Sequence, residues 1–89
     1  MSQSEFIERA KKTVLAYTVE HTDPMDGILY MDDILLVWYC KTLQNHKAIL
    51  ITTLRDGMLF EFTYNGDKDE AYLDAYQKVE NRKYDREGR

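Results

Sequence analysis

The chain has 89 residues, of which 44% are hydrophobic and 31% are charged, and its formal net charge is −4. This length predicts a single small domain spanning residues 1–89, and the apolar content excludes a disordered chain. The single cysteine, Cys40, excludes a disulfide framework and a cysteine zinc cluster, while the acidic balance disfavours binding of duplex nucleic acid through a basic face.

The N-terminus indicates a cytoplasmic protein. It runs directly into a charged amphipathic pattern and lacks the apolar core of a signal peptide. The chain has no apolar run long enough to form a membrane-spanning helix. A lone cysteine fits a reducing compartment. We therefore expect a cytoplasmic location in a bacterial host and no membrane contact.

The first predicted element is an amphipathic helix. Ser2 and Glu5 have the spacing of a capping box, which predicts a helix beginning near Ser4. Its apolar face repeats at three- and four-residue steps through Ile7, Ala10, Val14, Tyr17 and Thr18. Pro24 is expected to stop the helix because proline disfavours helical angles in the residue before it and lacks a backbone donor.

An acidic connector follows the helix. Residues 20 to 33 contain no Lys or Arg, and their acidic side chains are Glu20, Asp23, Asp26, Asp32 and Asp33. A calcium loop is disfavoured, because aligning Gly27 with the turn glycine of an EF-hand places Thr22 and Pro24 at ligand positions. We expect a solvated loop and no metal site.

Three strands are predicted next, over Ile34 to Thr42, Lys47 to Thr53 and Met58 to Tyr64. The short connections between them predict an antiparallel meander. Strict alternation in the third strand turns Phe60 and Phe62 toward the helices. The same alternation in the first strand places Leu36, Trp38 and Cys40 inside and Leu35, Val37, Tyr39 and Lys41 outside. The middle strand is apolar on both faces.

A second helix is predicted to close the domain. Asp67 and Glu70 have capping-box spacing, and Tyr72, Leu73, Tyr76 and Val79 form an apolar stripe. The helix is expected to fade near Tyr84 and to leave a frayed tail at 85–89. The predicted fold class is therefore α+β, with a three-stranded antiparallel meander and an N-terminal and a C-terminal helix packed on one face (α-β-β-β-α).

Patterns typical of enzymes are weak in this sequence. The neighbouring acids, Asp32 with Asp33 and Asp67 with Asp69 and Glu70, suit turns and helix caps, and nothing apolar around them would raise a pKa. Cys40 with His21 or His46 would resemble a thiol and its base, but Cys40 is predicted to lie inertly in the core. The four glycines stand singly, so no phosphate loop is present. We expect no catalytic residue, no cofactor and no enzymatic activity.

The outer face of the predicted sheet is the main candidate for function. Leu35, Val37, Tyr39 and Leu59, together with residues of the middle strand, would form an apolar patch of several hundred Å². Such a patch is expected to be covered. Self-association into a homodimer through the outer face is one solution. The other is that the segment from Gly27 to Asp33, or the C-terminal tail, folds over it.

Several segments together resemble a known protein family. They are Val37 to Asn45, Asp56-Gly57, Thr63 to Lys68 and Tyr72 to Tyr76. Between about Asp32 and Asn81 the chain resembles a family of small proteins of unknown function encoded by phages and prophages of Gram-positive bacteria. The Cys-Lys-Thr-Leu-Gln-Asn and Thr-Tyr-Asn-Gly-Asp-Lys segments are the most specific. The resemblance implies a phage accessory protein and implies no catalytic residue.

These observations predict a non-enzymatic module that binds and modulates a host or phage protein. Besides the outer face, the acidic side chains are candidates for this contact, namely Asp23, Asp26, Asp32, Asp33, Asp67, Asp69 and Asp74. The alternative is binding of single-stranded or duplex nucleic acid by Tyr39, Lys41, Lys47 and Arg55 with the basic tail, which the net charge opposes.

Overall fold

The computed structural model of the chain describes residues 1–23, 25 and 27–89. Helix α1 spans Gln3–Glu20 and is followed by a short 3-10 helix at Met31–Asp33. The strands are β1 (Ile34–Thr42), β2 (Asn45–Thr52), β3 (Met58–Asn65) and β4 (Glu70–Gln77). They form one antiparallel sheet in the order β1-β2-β3-β4, and α1 covers one face. The α+β class and the N-terminal helix are confirmed.

The sequence pattern explains where α1 begins and which face it buries. The Ser2 hydroxyl accepts the backbone N–H of Glu5 at 3.2 Å, as the capping prediction required. The most buried side chains of α1 recur every four residues, at Phe6, Ala10, Val14 and Thr18. His21 caps the other end with its backbone N–H directed at the carbonyls of Thr18 and Val19. Pro24, which was predicted to stop the helix, lies outside the described residues.

The core lies between α1 and strands β1 to β3. Its buried apolar residues are Phe6, Ala10, Val14, Ile34, Ala48, Leu50, Phe60, Phe62 and Tyr64. The inner side of the sheet comes from alternate positions of β2 and β3, where Ala48 faces Phe62 and Leu50 faces Phe60 across the ladder. The alternation predicted for the third strand is therefore confirmed.

The predicted C-terminal helix is wrong, because this segment forms strand β4. Leu73 pairs with Phe62, and Tyr72 pairs with Thr63. This sequence fits a helical apolar stripe, but it also fits a strand in which Leu73 points inward and Tyr72 and Tyr76 point outward. The strand forms because β3 would otherwise leave a row of unpaired backbone groups at the sheet edge. Residues 78 to 89, part of which was assigned to the helix, carry no helix or strand.

A β-bulge reverses the predicted orientation of the second half of β1. Leu36 lies opposite Leu50 and Trp38 lies opposite Ile49, so Val37 is an extra residue in this strand. Beyond the bulge, Tyr39 pairs with Ala48 and points to the helix side, while Trp38 and Cys40 point outward. The predictions that Tyr39 lies outside and that Trp38 and Cys40 lie inside were therefore wrong, because one inserted residue inverts a period of two.

Candidate functional site

The sheet face opposite α1, called the outer face below, carries the largest group of exposed apolar side chains. The pairing register assigns four residues of each strand to it. They are Leu35, Trp38, Cys40 and Thr42 of β1, Asn45, Lys47, Ile49 and Ile51 of β2, Leu59, Glu61, Thr63 and Asn65 of β3, and Glu70, Tyr72, Asp74 and Tyr76 of β4.

Aromatic and aliphatic side chains on this face are open to solvent. Trp38 is 46% exposed, Tyr72 55% and Tyr76 50%, and on the same face Leu35 is 43% and Leu59 38% exposed. Residues 27–33 and the C-terminal tail leave these side chains exposed. The expectation that the chain itself folds over the outer face is therefore wrong.

The outer face is apolar at one end and polar in its middle. Leu35 and Ile51 are paired, as are Leu59 and Tyr76, so an apolar row crosses all four strands. On the central strands the Lys47 ammonium lies 2.6 Å from a Glu61 carboxylate oxygen. This hydrogen bond and the Glu61 charge raise the pKa of Lys47. The pair neutralises the centre of the face.

The total surface of the chain is large for its mass. It exposes 6872 Å², whereas a folded monomer of 10.6 kDa is expected to expose about 5,500 Å². The molecule is also thin, with extents of 44 × 41 × 19 Å. Its radius of gyration is 15.2 Å, against about 12 Å for a compact domain of this length. The uncovered outer face and the exposed segment 78–89, which carries no helix or strand, both contribute to this extended shape.

The predicted outer-face residues fall into three groups. Leu35 and Leu59 lie on the outer face. Val37 is the bulge residue and is exposed beside it. Tyr39 lies on the inner side, where its hydroxyl is 2.6 Å from His46 Nδ1 and its ring is 5.7 Å from that of Phe6. Trp38 takes the outward place expected of Tyr39, and sequence reasoning missed it because both parities of β1 are apolar.

The acidic candidate residues do not form one surface. Asp23, Asp32 and Asp33 lie near the start of β1, whereas Asp67 and Asp69 lie in the β3–β4 turn at the opposite end of the strands. Several of them are engaged locally. Their partners are the Met25 N–H for Asp23 at 2.9 Å, the Tyr30 N–H for Asp33 at 2.8 Å and the Tyr64 hydroxyl for Asp69 at 2.6 Å.

Asp74 projects from the edge strand β4 onto the outer face, paired across the ladder with Glu61. Asp26 lies outside the described residues. Of the predicted acidic surface, Asp74 is therefore the member that the structure brings to the outer face.

The segments 40–45 and 63–68 meet at one end of the sheet. Gln44, in the β1–β2 turn, donates a hydrogen bond to the Asp67 carboxylate in the β3–β4 turn. Asn45 Oδ1 accepts the Gly66 N–H at 3.0 Å. A Cβ on Gly66 would lie 2.2 Å from the Gln44 carbonyl oxygen, so this approach requires glycine. These segments therefore join the two hairpins.

The residues of the nucleic-acid alternative are scattered. Tyr39 and Lys41 belong to the inner side of β1, Lys47 is paired with Glu61 on the outer face, and Arg55 lies in the β2–β3 connection. The structure therefore does not bring them into one basic and aromatic strip of the kind that binds single strands.

The groups considered for thiol chemistry are also separated. Cys40 is exposed on the outer face, while His46 is buried on the inner side between Phe6 and Tyr39. His21 lies at the far end of α1 and stacks on Tyr17 with ring centroids 4.0 Å apart. A thiol and imidazole pair is therefore not assembled from these residues.

A groove of about 590 Å³ lies between the end of α1 and the β2–β3 connection. Tyr17, Met58 and Phe60 form its apolar wall, and His21 and Arg55 stand at its polar side. Among residues 1–23, 25 and 27–89, no cluster of His, Cys, Asp or Glu has the geometry of a metal site. Within these same residues, no helix is long and apolar enough to cross a membrane.

Comparison with known proteins identifies one family. The model described as "Family of unknown function (DUF6275)" matches residues 7–86, which include most of α1 and all four strands. No curated protein and no solved structure matches the chain significantly. The predicted resemblance to a family of unknown function is confirmed, while the phage origin stays a prediction.

Proposed function

The chain belongs to DUF6275, and on that premise we propose that it is a non-enzymatic protein-binding module whose contact surface is the outer face. The observation that carries this proposal is the exposed group of Leu35, Trp38, Leu59 and Tyr76 on the uncovered side of the sheet. Apolar patches of this kind mark protein contact sites, and Trp and Tyr are the residue types that dominate their energetics.

The proposed setting is the bacterial cytoplasm, where the protein acts as a phage accessory protein on a host or phage protein. The resemblance of the segments around Gln44 and Gly66 supports this setting. The outer face supports protein binding because its apolar side chains are exposed and the Lys47 and Glu61 charges at its centre pair with each other.

Two native side chains report on the outer face without any engineering. Trp38 is the only tryptophan and Cys40 the only cysteine of the chain. A protein that covers this face is expected to shift the Trp38 emission to shorter wavelength and to slow alkylation of Cys40, because both groups lose water.

The test begins with affinity capture from extract of an infected Gram-positive host, followed by purification of each captured protein. Each is then titrated against the wild-type chain, a Leu59→Lys variant and a Val79→Lys variant. Val79 is 98% exposed and lies in the tail, so it controls for a lysine placed away from the outer face. We expect Leu59→Lys alone to weaken binding and to abolish the Trp38 shift. Binding that is equal in both variants, or that leaves Trp38 and Cys40 unaffected, would show that the outer face is not the contact surface.

A further inference from the structure

We infer that the protein chain covering the outer face is a second copy of this same chain, related by a two-fold axis that runs parallel to the strands between β2 and β3. This inference rests on the proposed function, since it takes the outer face as a protein contact surface and names a second copy as its occupant until a host or phage protein displaces that copy. Two copies would bring their sheets together as the middle layers of a helix-sheet-sheet-helix assembly.

The area of the outer face fits a dimer. Four strands about 4.8 Å apart and eight residues rising about 3.3 Å each span a plane of roughly 500 Å² before side-chain relief is counted. The relief brings the accessible area toward the roughly 800 Å² per partner of a standard interface. The chain also exposes about 1,400 Å² more than a compact monomer of its mass. A sheet-to-sheet contact would cover part of this excess, and the exposed segment 78–89 contributes to the rest.

The distribution of apolar residues selects the axis. An axis across the strands, centred on the face, would place the apolar row of Leu35 and Tyr76 against the polar row that contains Asn45 and Glu70. An axis along the strands places β1 of one copy over β4 of the other, and β2 over β3. The apolar rows of the two copies then face each other. Leu35 then faces Tyr76 of the second copy. Buried apolar contact therefore favours the second arrangement.

The charged groups are compatible with the same axis. Lys47 and Glu61 sit on β2 and β3, next to the axis, so two neutral pairs meet at the centre and like charges do not face each other. Asp74 of one copy lies opposite Trp38 of the other, because these residues occupy the same row on the two edge strands. The indole N–H provides a donor for that carboxylate. This axis therefore brings no like charges directly opposite each other.

The first test is the mass of the purified protein in solution. Sedimentation equilibrium of the wild-type chain and of Val79→Lys is expected to give twice the mass of one chain at micromolar concentration. Leu59→Lys is expected to raise the dissociation constant at least about thirtyfold, because the lysine would be placed against Ile51 of the second copy. Circular dichroism verifies that each variant is folded. A wild-type protein that stays monomeric, or a folded Leu59→Lys variant that dimerises as tightly, would overturn the inference.

The second test examines the axis itself. In the proposed arrangement Cys40 lies opposite Tyr72 of the second copy, whereas the two Cys40 thiols lie on opposite edges of the interface. A short bismaleimide is expected to link Tyr72→Cys chains into covalent dimers and to leave the wild-type chain, which has Cys40 alone, mostly unlinked. The reverse pattern, with efficient linking through Cys40 alone, would refute the axis along the strands.

The failures of the two proposals are distinguishable. A monomeric chain that binds a purified host or phage protein through Leu59 would reject the dimer and leave the proposed function standing. A dimer that persists in Leu59→Lys and binds partners regardless of this change would reject both.

Discussion

Acid is expected to destabilise this protein through one histidine. His46 is buried on the inner side of the sheet, stacked on Phe6 with ring centroids 4.9 Å apart, and its Nδ1 lies 2.6 Å from the Tyr39 hydroxyl. Burial lowers the pKa of His46, and the nearby Lys41 and N-terminal ammonium groups lower it further, against an opposing backbone hydrogen bond with Met1. Protonation is therefore easier in the unfolded chain than in the folded one.

The sign and size of the effect follow from this difference. Because the folded pKa lies below the unfolded value of about 6.5, the contribution of neutral His46 to stability is complete above that pH and is lost as the pH falls below it. Each pH unit between the two pKa values costs about 1.4 kcal/mol.

Urea unfolding measured from about pH 7.5 down to about pH 5 tests this prediction, since Asp and Glu titrate mainly below that range. A Tyr39→Phe/His46→Phe double variant removes both members of the buried hydrogen bond, so it is expected to fold and to lose the pH dependence. His21→Gln is the matched control, because His21 is the only other histidine and is exposed. Stability that does not change over this range, or a dependence that disappears in His21→Gln, would refute the reasoning.

Three further predictions concern the turns and the rival function. Gly66→Ala is expected to lower the free energy of unfolding by about 1–3 kcal/mol, because the new Cβ would collide with the Gln44 carbonyl oxygen; an unchanged urea midpoint would contradict this close approach. Leu43 has a φ of 57° and is largely exposed, so Leu43→Asn is expected to relieve strain and raise stability by up to about 1 kcal/mol, and a lowered melting temperature would contradict the strain. Labelled single-stranded and duplex DNA are expected to show no mobility shift in low salt, because Lys47 and Arg55 lie on different parts of the molecule. A shift that weakens with added salt would support the nucleic-acid alternative.

Much of the fold follows from local patterns in the sequence. The Ser2 cap and the four-residue repeat through Ala10 and Val14 define α1, and the alternation around Phe60 and Phe62 defines β3. These signals are strong because, in each of these segments, the spacing of the apolar residues fits only one type of secondary structure.

The errors occurred where two periodicities fit the same residues. Tyr72 to Tyr76 satisfies both a helical stripe and a strand alternation, and only the need of β3 for a partner decides between them. In β1 both parities are apolar, so no pattern marks Val37 as a bulge or shows that Trp38 turns outward. The outer face was therefore predicted as a surface, while none of its three aromatic residues, Trp38, Tyr72 and Tyr76, was predicted to lie on it.

The junction of the two hairpins at Gln44 and Gly66 constrains how the chain can vary. Contact between these turns requires that all four strands hold their correct register, so it reports on the whole sheet. Adding or removing one residue in either turn would move the other turn out of reach. An inserted tag or epitope is consequently better tolerated in the connection between β2 and β3, at the far end of the molecule, than in either of these turns.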